Sequence, residues 1–287
     1  MFEHNETLEQ ARARNIADAL REDIGTGDWT AQLIDPTRRL QARVITRDDA
    51  VLCGRDWFEG CVRALDADAR MTWQQTEGAD MAAGSSVVEI DALARALLSA
   101  ERCALNFLQL LSATATRTRA HVQAIAGASP NPRGCAVLDT RKTLPGLRQA
   151  QKYAVRIGGG RNQRLALWHG MLIKENHIAA AGGVSAAMCA ALALNSGVEI
   201  QIEVENLDQL QEALAAGATS VLLDNFTLAA TREAVALTAG RALLETSGGV
   251  ALEQLREIAA TGVDRISIGA LTKDVKATDY SMRVLAG

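Results

Sequence analysis

Residues 198–248 read VEIQIEVENLDQLQEALAAGATSVLLDNFTLAATREAVALTAGRALLETSG and alternate between strand-like and helix-like segments. The strand-like segments are 198–206, 220–225 and 242–248, and the helical ones are 207–217 and 228–240. Glu203, Asp224 and Glu245 follow one another at intervals of 21 residues, near the strand ends. One strand and one helix per ~20–25 residues predicts a βα repeat with a parallel sheet.

The same pattern extends over residues 113–273. Further strand-like segments are CAVLDT (135–140), MLIKEN (171–176) and RISIGA (265–270), and a further helical segment is 251–262. A polar residue or glycine at each strand's C-terminal end indicates one shared mouth, which favours a barrel over a doubly wound open sheet. The stretch of about 160 residues is short of the roughly 200 that eight units need. We therefore predict an incomplete α/β barrel of six or seven strands.

Residues 1–112 predict a separate α/β sandwich domain. Helical patterns lie at 7–22, 57–64 and 92–126, and strand-like segments lie at 41–47, 51–54, 71–75 and 87–92. The strand-like tail, 274–287, is expected to return to this domain. The predicted domains are thus 1–112 joined by 274–287, and 113–273.

Composition excludes several classes of protein. With 30 Lys and Arg against 34 Asp and Glu, and no apolar run of about 18 residues, neither nucleic acid nor a membrane is an expected partner. The polar start of the chain lacks a signal-peptide pattern. Five cysteines without a CxxC pair indicate reduced, structural thiols rather than disulfides, zinc or a catalytic thiol, and hence a cytoplasmic protein.

Residues 141–174 contain eight Lys or Arg and no Asp or Glu, whereas the rest of the chain carries 22 basic and 34 acidic residues. A basic block inside an acidic chain predicts a pocket for a small, highly anionic substrate. A nucleic-acid-binding module is the alternative. It is disfavoured because Tyr153 and Trp168 are the block's only aromatic residues.

Three motifs carry the cations of this block. In TRKTLPG (140–146), Arg141 and Lys142 directly follow a predicted strand, which favours carboxylate or phosphate binding over a solvated loop. GGGRNQR (158–164) can bring backbone N–H groups close to an oxyanion, although it is not a Walker loop. LIKENH (172–177) places Lys174 at a strand end, as a cationic ligand or a Schiff-base lysine of a barrel aldolase. We interpret His169 and His177 as structural.

Carboxylates and glycines end the later strands. Glu203 and Asp224 either cap the following helices or act as metal, ribose or cation-stabilising groups. ETSGG (245–249) and SIGA (267–270) end the last two strands, where α/β barrels commonly bind phosphate through loop N–H groups.

Nine motifs in order resemble quinolinate phosphoribosyltransferases, over about 250 residues. They are EDIGTGDWT, AERCALNFLQLLSATAT, TRKTLPGLRQAQKYAV, GGGRNQR, LIKENHI, IEVEN, LLDN, ETSGGV and GVDRISIGALTK. The resemblance implies an α/β sandwich, an incomplete α/β barrel and a homodimer, or a higher oligomer, with a shared active site. It also implies a reaction of de novo NAD biosynthesis: quinolinate and phosphoribosyl pyrophosphate, with Mg2+, give nicotinate mononucleotide, pyrophosphate and CO2.

The resemblance also implies roles for individual residues. The cationic wall would consist of Arg141, Lys142, Arg164 and Lys174, and Arg102 would reach in from the partner subunit. Glu203 and Asp224 would face ribose and Mg2+ and act in catalysis with Lys142 and Lys174. The 5-phosphate would be held by Ser247, Gly248, Gly249 and Gly269.

The chain departs from the family pattern at a few positions. Gln163 stands where the family has histidine; it can bind a carboxylate but carries no charge. The other departures are Cys103, Ala166, His169 and Thr246. A related phosphoribosyltransferase-like protein of molybdenum metabolism, with another acceptor, is the alternative.

Overall fold

The predicted alternation of strands and helices is present in a computed structural model that describes residues 5–285. Unit 1 contains the described residues up to 119, residues 143–159 and those from 272 onward; unit 2 contains residues 120–142 and 160–271. The predicted domain limits, 1–112 with 274–287 and 113–273, stay a prediction. The structure assigns 143–159 to unit 1, whereas the sequence reading placed this segment in the barrel.

Unit 1 is built on a four-stranded antiparallel sheet and its helices. Its strands are β1 (Arg39–Thr46), β2 (Ala50–Val51), β3 (Arg70–Trp73), β4 (Asp80–Met81), β5 (Ser86–Leu93) and β12 (Tyr280–Val284). Its helices are α1 (Leu8–Ile24), α2 (Arg55–Arg63), α4 (Arg148–Ile157) and the first part of α3 (Ala94–Ile125). The sheet order is β12-β1-β5-β3, and β2 pairs separately with β4. The last strand of the chain therefore lies beside β1.

The core of unit 1 explains this pairing. Alternate residues of β1 and β5 are buried, and Val44 lies opposite Val88 and Met282. Trp57 and Phe58 of α2 are almost fully buried in the same apolar cluster, with Leu108 of α3. Burial of each such side chain contributes roughly 1.5–3 kcal/mol. The sheet, with helices over its apolar face, confirms the predicted α/β sandwich.

Unit 2 contains six parallel strands. They are β6 (Ala136–Leu138), β7 (Gly170–Ile173), β8 (Glu199–Val204), β9 (Ser220–Asp224), β10 (Leu243–Ser247) and β11 (Arg265–Ser267). The helices that follow them are α5 (Glu175–Ala181), α6 (Val184–Ala193), α7 (Leu207–Ala215), α8 (Leu228–Thr238), α9 (Leu255–Ala259) and α10 (Ala270–Lys273).

The strand order shows that the sheet is a barrel with one opening. The order is β6-β11-β10-β9-β8-β7, so consecutive strands from β7 to β11 are neighbours, β6 pairs with β11, and the opening lies between β6 and β7. A doubly wound sheet would instead reverse its order at a switch point. On the remaining edge of β6, Arg161 forms an isolated parallel bridge with Leu138. The prediction of an incomplete α/β barrel is confirmed, with six strands.

Short polar side chains begin two of the barrel helices, α7 and α8. The Asn206 side chain accepts a hydrogen bond from the Gln209 N–H at 2.9 Å and starts α7, and Thr227 caps α8 through the Ala230 N–H at 3.2 Å. Each cap satisfies an N–H group that has no partner within its helix. Each cap follows the strand-end carboxylate, Glu203 or Asp224, by three residues, which leaves those carboxylates available for other contacts.

Helix α4 contains three cations of the basic block: Arg148, Lys152 and Arg156. It lies in unit 1, where Lys152 is fully buried and Arg156 lies over the ring of Tyr153. The helix ends where Gly158 packs on α3: a Cβ at Gly158 would lie 2.4 Å from the backbone oxygen of Ala115. The first glycine of GGGRNQR thus permits helix packing.

Within residues 5–285, no single helix is both long and apolar enough to cross a bilayer. Only α5 and α6 taken together pass by length and composition, and they are bent by 88° at the break between them.

Candidate active site

The parallel strands of unit 2 bring their C-terminal ends to one edge of the sheet. Most of the predicted site residues occupy this edge or the residues just beyond it. By strand, they are Arg141 and Lys142 after β6, Lys174 after β7, Glu203 in β8, Asp224 at the end of β9, Ser247 to Gly249 at the end of β10, and Gly269 after β11. The sequence prediction of one shared mouth therefore has its structural counterpart here.

Lys174 and Glu203 form an ion pair at the ends of neighbouring strands. The Nζ atom of Lys174 lies 2.9 Å from Oε2 and 3.3 Å from Oε1 of Glu203. The Glu203 side chain is only 11% exposed, whereas that of Lys174 is 44% exposed. Burial raises the pKa of Glu203, the bond to Lys174 lowers it, and the charges of Asp224 and Glu175 raise it further. The pair thus holds a carboxylate in an environment that disfavours its charge.

Glu203 and Asp224 are near enough for their charges to interact, and neither caps a helix. Asp224 accepts a hydrogen bond from Asn225 at 2.9 Å, while Asn206 and Thr227 provide the caps. The sequence left open that Glu203 and Asp224 cap the following helices. The structure does not show this role, because Asn206 and Thr227 cap those helices instead. Two carboxylates that repel one another suit a cation or a developing positive charge.

The guanidinium groups of Arg141 and Arg164 lie near enough to each other for their charges to interact. Arg164 donates to the carbonyl oxygen of Gly170 at 3.0 Å, and burial together with the charge of Arg141 lowers its pKa. The Nε atom of Arg141 is buried and has no hydrogen-bond partner within residues 5–285. A buried donor without a partner is costly, by about 1–3 kcal/mol. An anion held between the two side chains would accept a hydrogen bond from Nε of Arg141 and would offset the repulsion between the two guanidinium charges.

Asp139 anchors the segment that carries Gln163 and Arg164. It is fully buried, and it accepts hydrogen bonds from the Asn162 side chain at 2.6 Å and from the backbone N–H of Gln163 at 3.0 Å. The Arg161 bridge to β6 fixes the same segment. The GGGRNQR motif is therefore held along the edge of the barrel sheet by the Asn162 side chain and by backbone groups of Arg161 and Gln163.

Lys142 and Gly269 lie close together at the ends of β6 and β11. A Cβ at Gly269 would lie 3.0 Å from Cδ of Lys142 and 3.6 Å from Oγ1 of Thr140. Thr140 also accepts a hydrogen bond from the Lys142 N–H at 3.1 Å. The absence of a side chain at Gly269 thus leaves room for the Lys142 chain.

The loop after β10 is shaped by Gly248. Its φ is +112°, and a Cβ there would lie 2.1 Å from Oδ1 of Asn225. Asn225 itself has a φ of +54°, and its N–H donates to the carbonyl oxygen of Ser247 at 3.1 Å. A cavity of about 330 Å3 lies at this loop and is lined by Ser247, Gly248 and Gly249 among others. The loop thus borders an open volume, and backbone N–H groups of such glycine-containing loops commonly bind phosphate.

Gln163 reaches into the barrel. Its Nε2 atom donates to Oε1 of Gln201 at 2.8 Å, and Gln201 donates in turn to Glu245 at 2.8 Å. Neither Asp139 nor Gln201 was predicted from the sequence as a site residue, and Glu245 was noted only for its spacing. The alternation of EIQIEVEN, with polar residues at 199, 201 and 203, was the signal that a polar side chain lines the barrel interior.

Arg102 belongs to unit 1 and not to the strand ends of unit 2. It is exposed on α3 within unit 1 and forms no hydrogen bond or ion pair with residues 5–285. His169 and His177 are exposed; the Nδ1 atom of His177 accepts the Lys174 backbone N–H at 3.0 Å, which agrees with a structural role.

Burial makes three of the five thiols poor nucleophiles. All five cysteines are free, and burial raises the pKa of Cys61 and Cys135 to about 12 and that of Cys103 to about 11. A nucleophilic cysteine needs a lowered pKa. In the part of the chain that the structure describes, no group of three or more His, Cys, Asp or Glu residues is placed to hold a metal ion.

Comparison with known proteins agrees with this geometry. Residues 28–112 match the family "Quinolinate phosphoribosyl transferase, N-terminal domain", and residues 114–283 match its C-terminal domain. The chain is 39% identical over 264 residues to the probable nicotinate-nucleotide pyrophosphorylase (carboxylating) of Bacillus subtilis, covering 92% of this chain and 90% of that protein. It is also 39% identical over 279 residues to the corresponding Mycobacterium leprae protein, covering 93% and 95%.

A solved structure extends the likeness to three dimensions. The nicotinate-nucleotide pyrophosphorylase of Francisella tularensis has a TM-score of 0.91 and 41% sequence identity, over 98% of this chain and 100% of that one. Both sequence and fold therefore agree along nearly the whole length. The chain belongs to the quinolinate phosphoribosyltransferase family.

Proposed function

We propose that the protein transfers the phosphoribosyl group of phosphoribosyl pyrophosphate to quinolinate and releases pyrophosphate and CO2, which yields nicotinate mononucleotide for NAD biosynthesis. The observation that carries this proposal is the pair of Arg141 and Arg164. Two guanidinium groups are held close enough for one charge to lower the pKa of the other, and Arg141 keeps a buried donor without a partner. Such a pair suits a substrate with carboxylate groups.

The cations at the strand ends offset the charge of the substrates. Quinolinate carries two carboxylates, and the sugar donor carries a phosphate and a pyrophosphate, so that their approach would be strongly repulsive without counter-charge. Arg141, Lys142, Arg164 and Lys174 provide that charge, and Gln163 adds a neutral donor to a quinolinate carboxylate. The rate enhancement then comes mainly from positioning and from preorganised charge.

Glu203 and Asp224 act where positive charge develops. As pyrophosphate leaves, C1 of the ribose becomes electron-deficient, and carboxylates nearby stabilise it. The same two groups suit Mg2+, because this ion binds through one or two carboxylates together with substrate phosphates, and the mutual repulsion of the two carboxylates favours a cation. When bound, Mg2+ neutralises the pyrophosphate and so improves it as a leaving group.

Decarboxylation needs no further catalytic group of the protein. Once the ring nitrogen carries the ribose, its positive charge stabilises the carbanion that remains when the adjacent carboxylate leaves as CO2, and a proton from water then takes the place of that carboxylate. The protein's part is to hold the ring while this happens. Ser247, Gly248, Gly249 and Gly269 hold the 5-phosphate at the opposite end of the substrate.

The active form is proposed to be a homodimer, or a larger assembly of dimers, with a shared site. Arg102 is exposed on α3 and has no partner within residues 5–285, as expected of a side chain that completes the site of another subunit. We further propose that the protein works in the cytoplasm, since its five cysteines are free.

Product formation from purified protein tests the reaction. Quinolinate, phosphoribosyl pyrophosphate and Mg2+ should give nicotinate mononucleotide and CO2, whereas nicotinate as a parallel acceptor should give none. Lack of product from the folded protein with quinolinate would refute the proposed reaction, and would favour a phosphoribosyltransferase with another acceptor. Borohydride should trap no adduct at Lys174, because the proposed phosphoribosyl transfer forms no Schiff base, whereas a barrel aldolase would.

A further inference from the structure

Asn225 directly follows the last residue of β9 and has an uncommon backbone conformation. Its φ is +54°, in the left-handed region that few residues other than glycine, asparagine and aspartate adopt. Within residues 5–285, the other non-glycine residues with a positive φ are Asn195, after α6, and Ala239, after α8. Of these three, Asn225 is the one at the C-terminal ends of the barrel strands. Backbone strain that is kept at such a place often has a functional reason.

The Asn225 side chain holds the carboxylate of Asp224. Its Nδ2 atom donates a hydrogen bond to Oδ2 of Asp224 at 2.9 Å. In the part of the chain that the structure describes, this is the only hydrogen bond that the Asp224 side chain forms. Asp224 is partly exposed, so packing alone does not fix its side chain. The direction in which the carboxylate faces therefore depends on the Asn225 amide.

The same residue is bound to the loop after β10. The Asn225 N–H donates to the carbonyl oxygen of Ser247 at 3.1 Å, just beyond the last paired residues of β9 and β10, Asp224 and Ser247. A Cβ at Gly248 would lie 2.1 Å from Oδ1 and 2.9 Å from Cγ of Asn225. The amide therefore occupies the space that a side chain at position 248 would need. Asn225 thus connects the Asp224 carboxylate with the Ser247–Gly249 loop.

The amide has one orientation between these two neighbours. A carboxylate only accepts hydrogen bonds, so the amide nitrogen must face Asp224, and the oxygen then lies against Gly248. The left-handed backbone of Asn225 allows its N–H to reach Ser247 while its side chain turns back toward Asp224. One residue thus sets the relative position of a carboxylate and a glycine loop that belong to different strands.

We propose that Asn225 is a positioning residue for the sugar donor, which fixes the Asp224 carboxylate relative to the Ser247–Gly249 loop at the separation that ribose 5-phosphate requires. The inference rests on the proposed function, in which Asp224 faces C1 of the ribose and the loop holds the 5-phosphate. Both contacts are to the same rigid part of the donor, so an error in their separation weakens its binding directly. Quinolinate is held by other groups, and its affinity does not depend on Asn225.

The first variant that tests the proposal is Asn225→Gly. Glycine adopts a positive φ without strain, so this change removes the amide and leaves the backbone conformation accessible. Wild-type turnover is measured first, and its absence refutes the proposed function together with this inference. Given turnover, KM for phosphoribosyl pyrophosphate should rise at least about fivefold in the variant, while KM for quinolinate changes less than twofold. A smaller rise, or an equal rise for both substrates, overturns the positioning role alone.

The variant Asn225→Asp tests the hydrogen bond to Asp224 specifically. Aspartate keeps the shape of the side chain and tolerates the left-handed backbone, but it replaces the donor nitrogen by an oxygen that repels the neighbouring carboxylate. KM for phosphoribosyl pyrophosphate should rise at least as much as in Asn225→Gly. A wild-type KM in Asn225→Asp overturns the proposal, because the bond to Asp224 is then dispensable.

A double-mutant cycle tests the contact with the loop. A Cβ at Gly248 clashes with the Asn225 side chain, so Gly248→Ala should lose about 10²-fold in kcat/KM for phosphoribosyl pyrophosphate when Asn225 is present. In the Asn225→Gly background the same substitution should lose less than about tenfold, because the atoms that it meets are gone. Equal losses in the two backgrounds overturn the proposal, since the loop then does not depend on Asn225.

The matched control is Asn195→Gly. Asn195 is also a left-handed asparagine of unit 2, with a φ of +44°, and it is exposed in the segment that leads into β8. The same change there should leave both KM values unchanged. A purely structural role for Asn225 would lower the thermal unfolding midpoint of Asn225→Gly without separating the two KM values, which also overturns the proposal.

Discussion

Substitution of Gly248 by alanine tests the proposed phosphate loop. At φ +112° a side chain is strained, and the added Cβ would lie 2.1 Å from Oδ1 and 2.9 Å from Cγ of Asn225. Real Cβ contacts are essentially never shorter than 3.0 Å. The loop or Asn225 must therefore move by about 1 Å, and a misplacement of about 1 Å can reduce a rate by about 10²-fold.

The expected result is a selective loss of donor binding and turnover. In Gly248→Ala, kcat/KM for phosphoribosyl pyrophosphate should fall by about 10²-fold, which corresponds to about 2.7 kcal/mol. The assay is steady-state formation of nicotinate mononucleotide at saturating quinolinate. Thermal unfolding, monitored by circular dichroism, checks that the variant is folded at the assay temperature.

Alanine substitutions at two other glycines distinguish the effect of the clash with Asn225 from the effect of backbone strain. Gly249 has a φ of +51° and Gly240 a φ of +76°, and a Cβ at either position would meet no atom within 4 Å. Alanine there adds about 1–2 kcal/mol of left-handed strain without displacing Asn225. Gly240→Ala, outside the site, should keep wild-type kinetics, and Gly249→Ala should lose less activity than Gly248→Ala. A Gly248→Ala enzyme with kcat/KM within threefold of wild type would refute the reasoning.

Three further predictions concern charged residues of the proposed site. The raised pKa of Glu203 means that its contribution to stability is present below about pH 4.5 and is lost as the pH rises through the raised value. Glu203→Gln should therefore unfold at a temperature no lower than wild type at pH 7, while kcat/KM falls about 10²–10³-fold; a marked drop in the unfolding temperature would contradict this. Lys142→Ala and Lys174→Ala should each abolish measurable turnover with the fold intact by circular dichroism, and near-normal rates in both would exclude a cationic wall. Inactive Arg102→Ala and Lys174→Ala subunits, when mixed, should regain part of the activity through heterodimers with one intact site; no recovery after verified subunit exchange would argue against a shared site.

The barrel and its mouth could be predicted because their signals are local. Repeats of strand and helix in 198–248, with a polar residue at each strand end, correspond closely to β8, β9 and β10. Lys174 and Glu203 were predicted separately, and they meet because parallel neighbours bring their C-terminal ends together. Periodicity and strand direction were sufficient for this part of the site.

The basic block shows the limit of local signals. Its cations are contiguous in sequence, but 143–159 lies in unit 1, where Lys152 is buried on α4. The spacing of Arg148, Lys152 and Arg156 at four residues is that of one helix face, which the prediction of a single anion pocket from the block did not take into account. Which unit a segment packs in depends on tertiary contacts that composition does not encode.

The interior hydrogen-bond chain could not be predicted for a different reason. Gln201 and Glu245 lie on strands that are not adjacent, and the segment of Gln163 is not a strand of the barrel. Their meeting depends on strand order and stagger around the barrel, which the sequence pattern leaves open. The alternation within β8 indicated that Gln201 faces the barrel interior, but it did not indicate which residues Gln201 contacts there.

The coupling of pyrophosphate release to CO2 release tests the central claim most directly. Quinolinate labelled in the 2-carboxylate is incubated with the enzyme and Mg2+, with and without phosphoribosyl pyrophosphate, and both products are counted. We expect one CO2 for each pyrophosphate and none without the sugar donor, because the ring nitrogen must be ribosylated before the carboxylate leaves. Labelled CO2 in the absence of the donor, or pyrophosphate release without CO2, would contradict the proposed phosphoribosyl transfer to quinolinate.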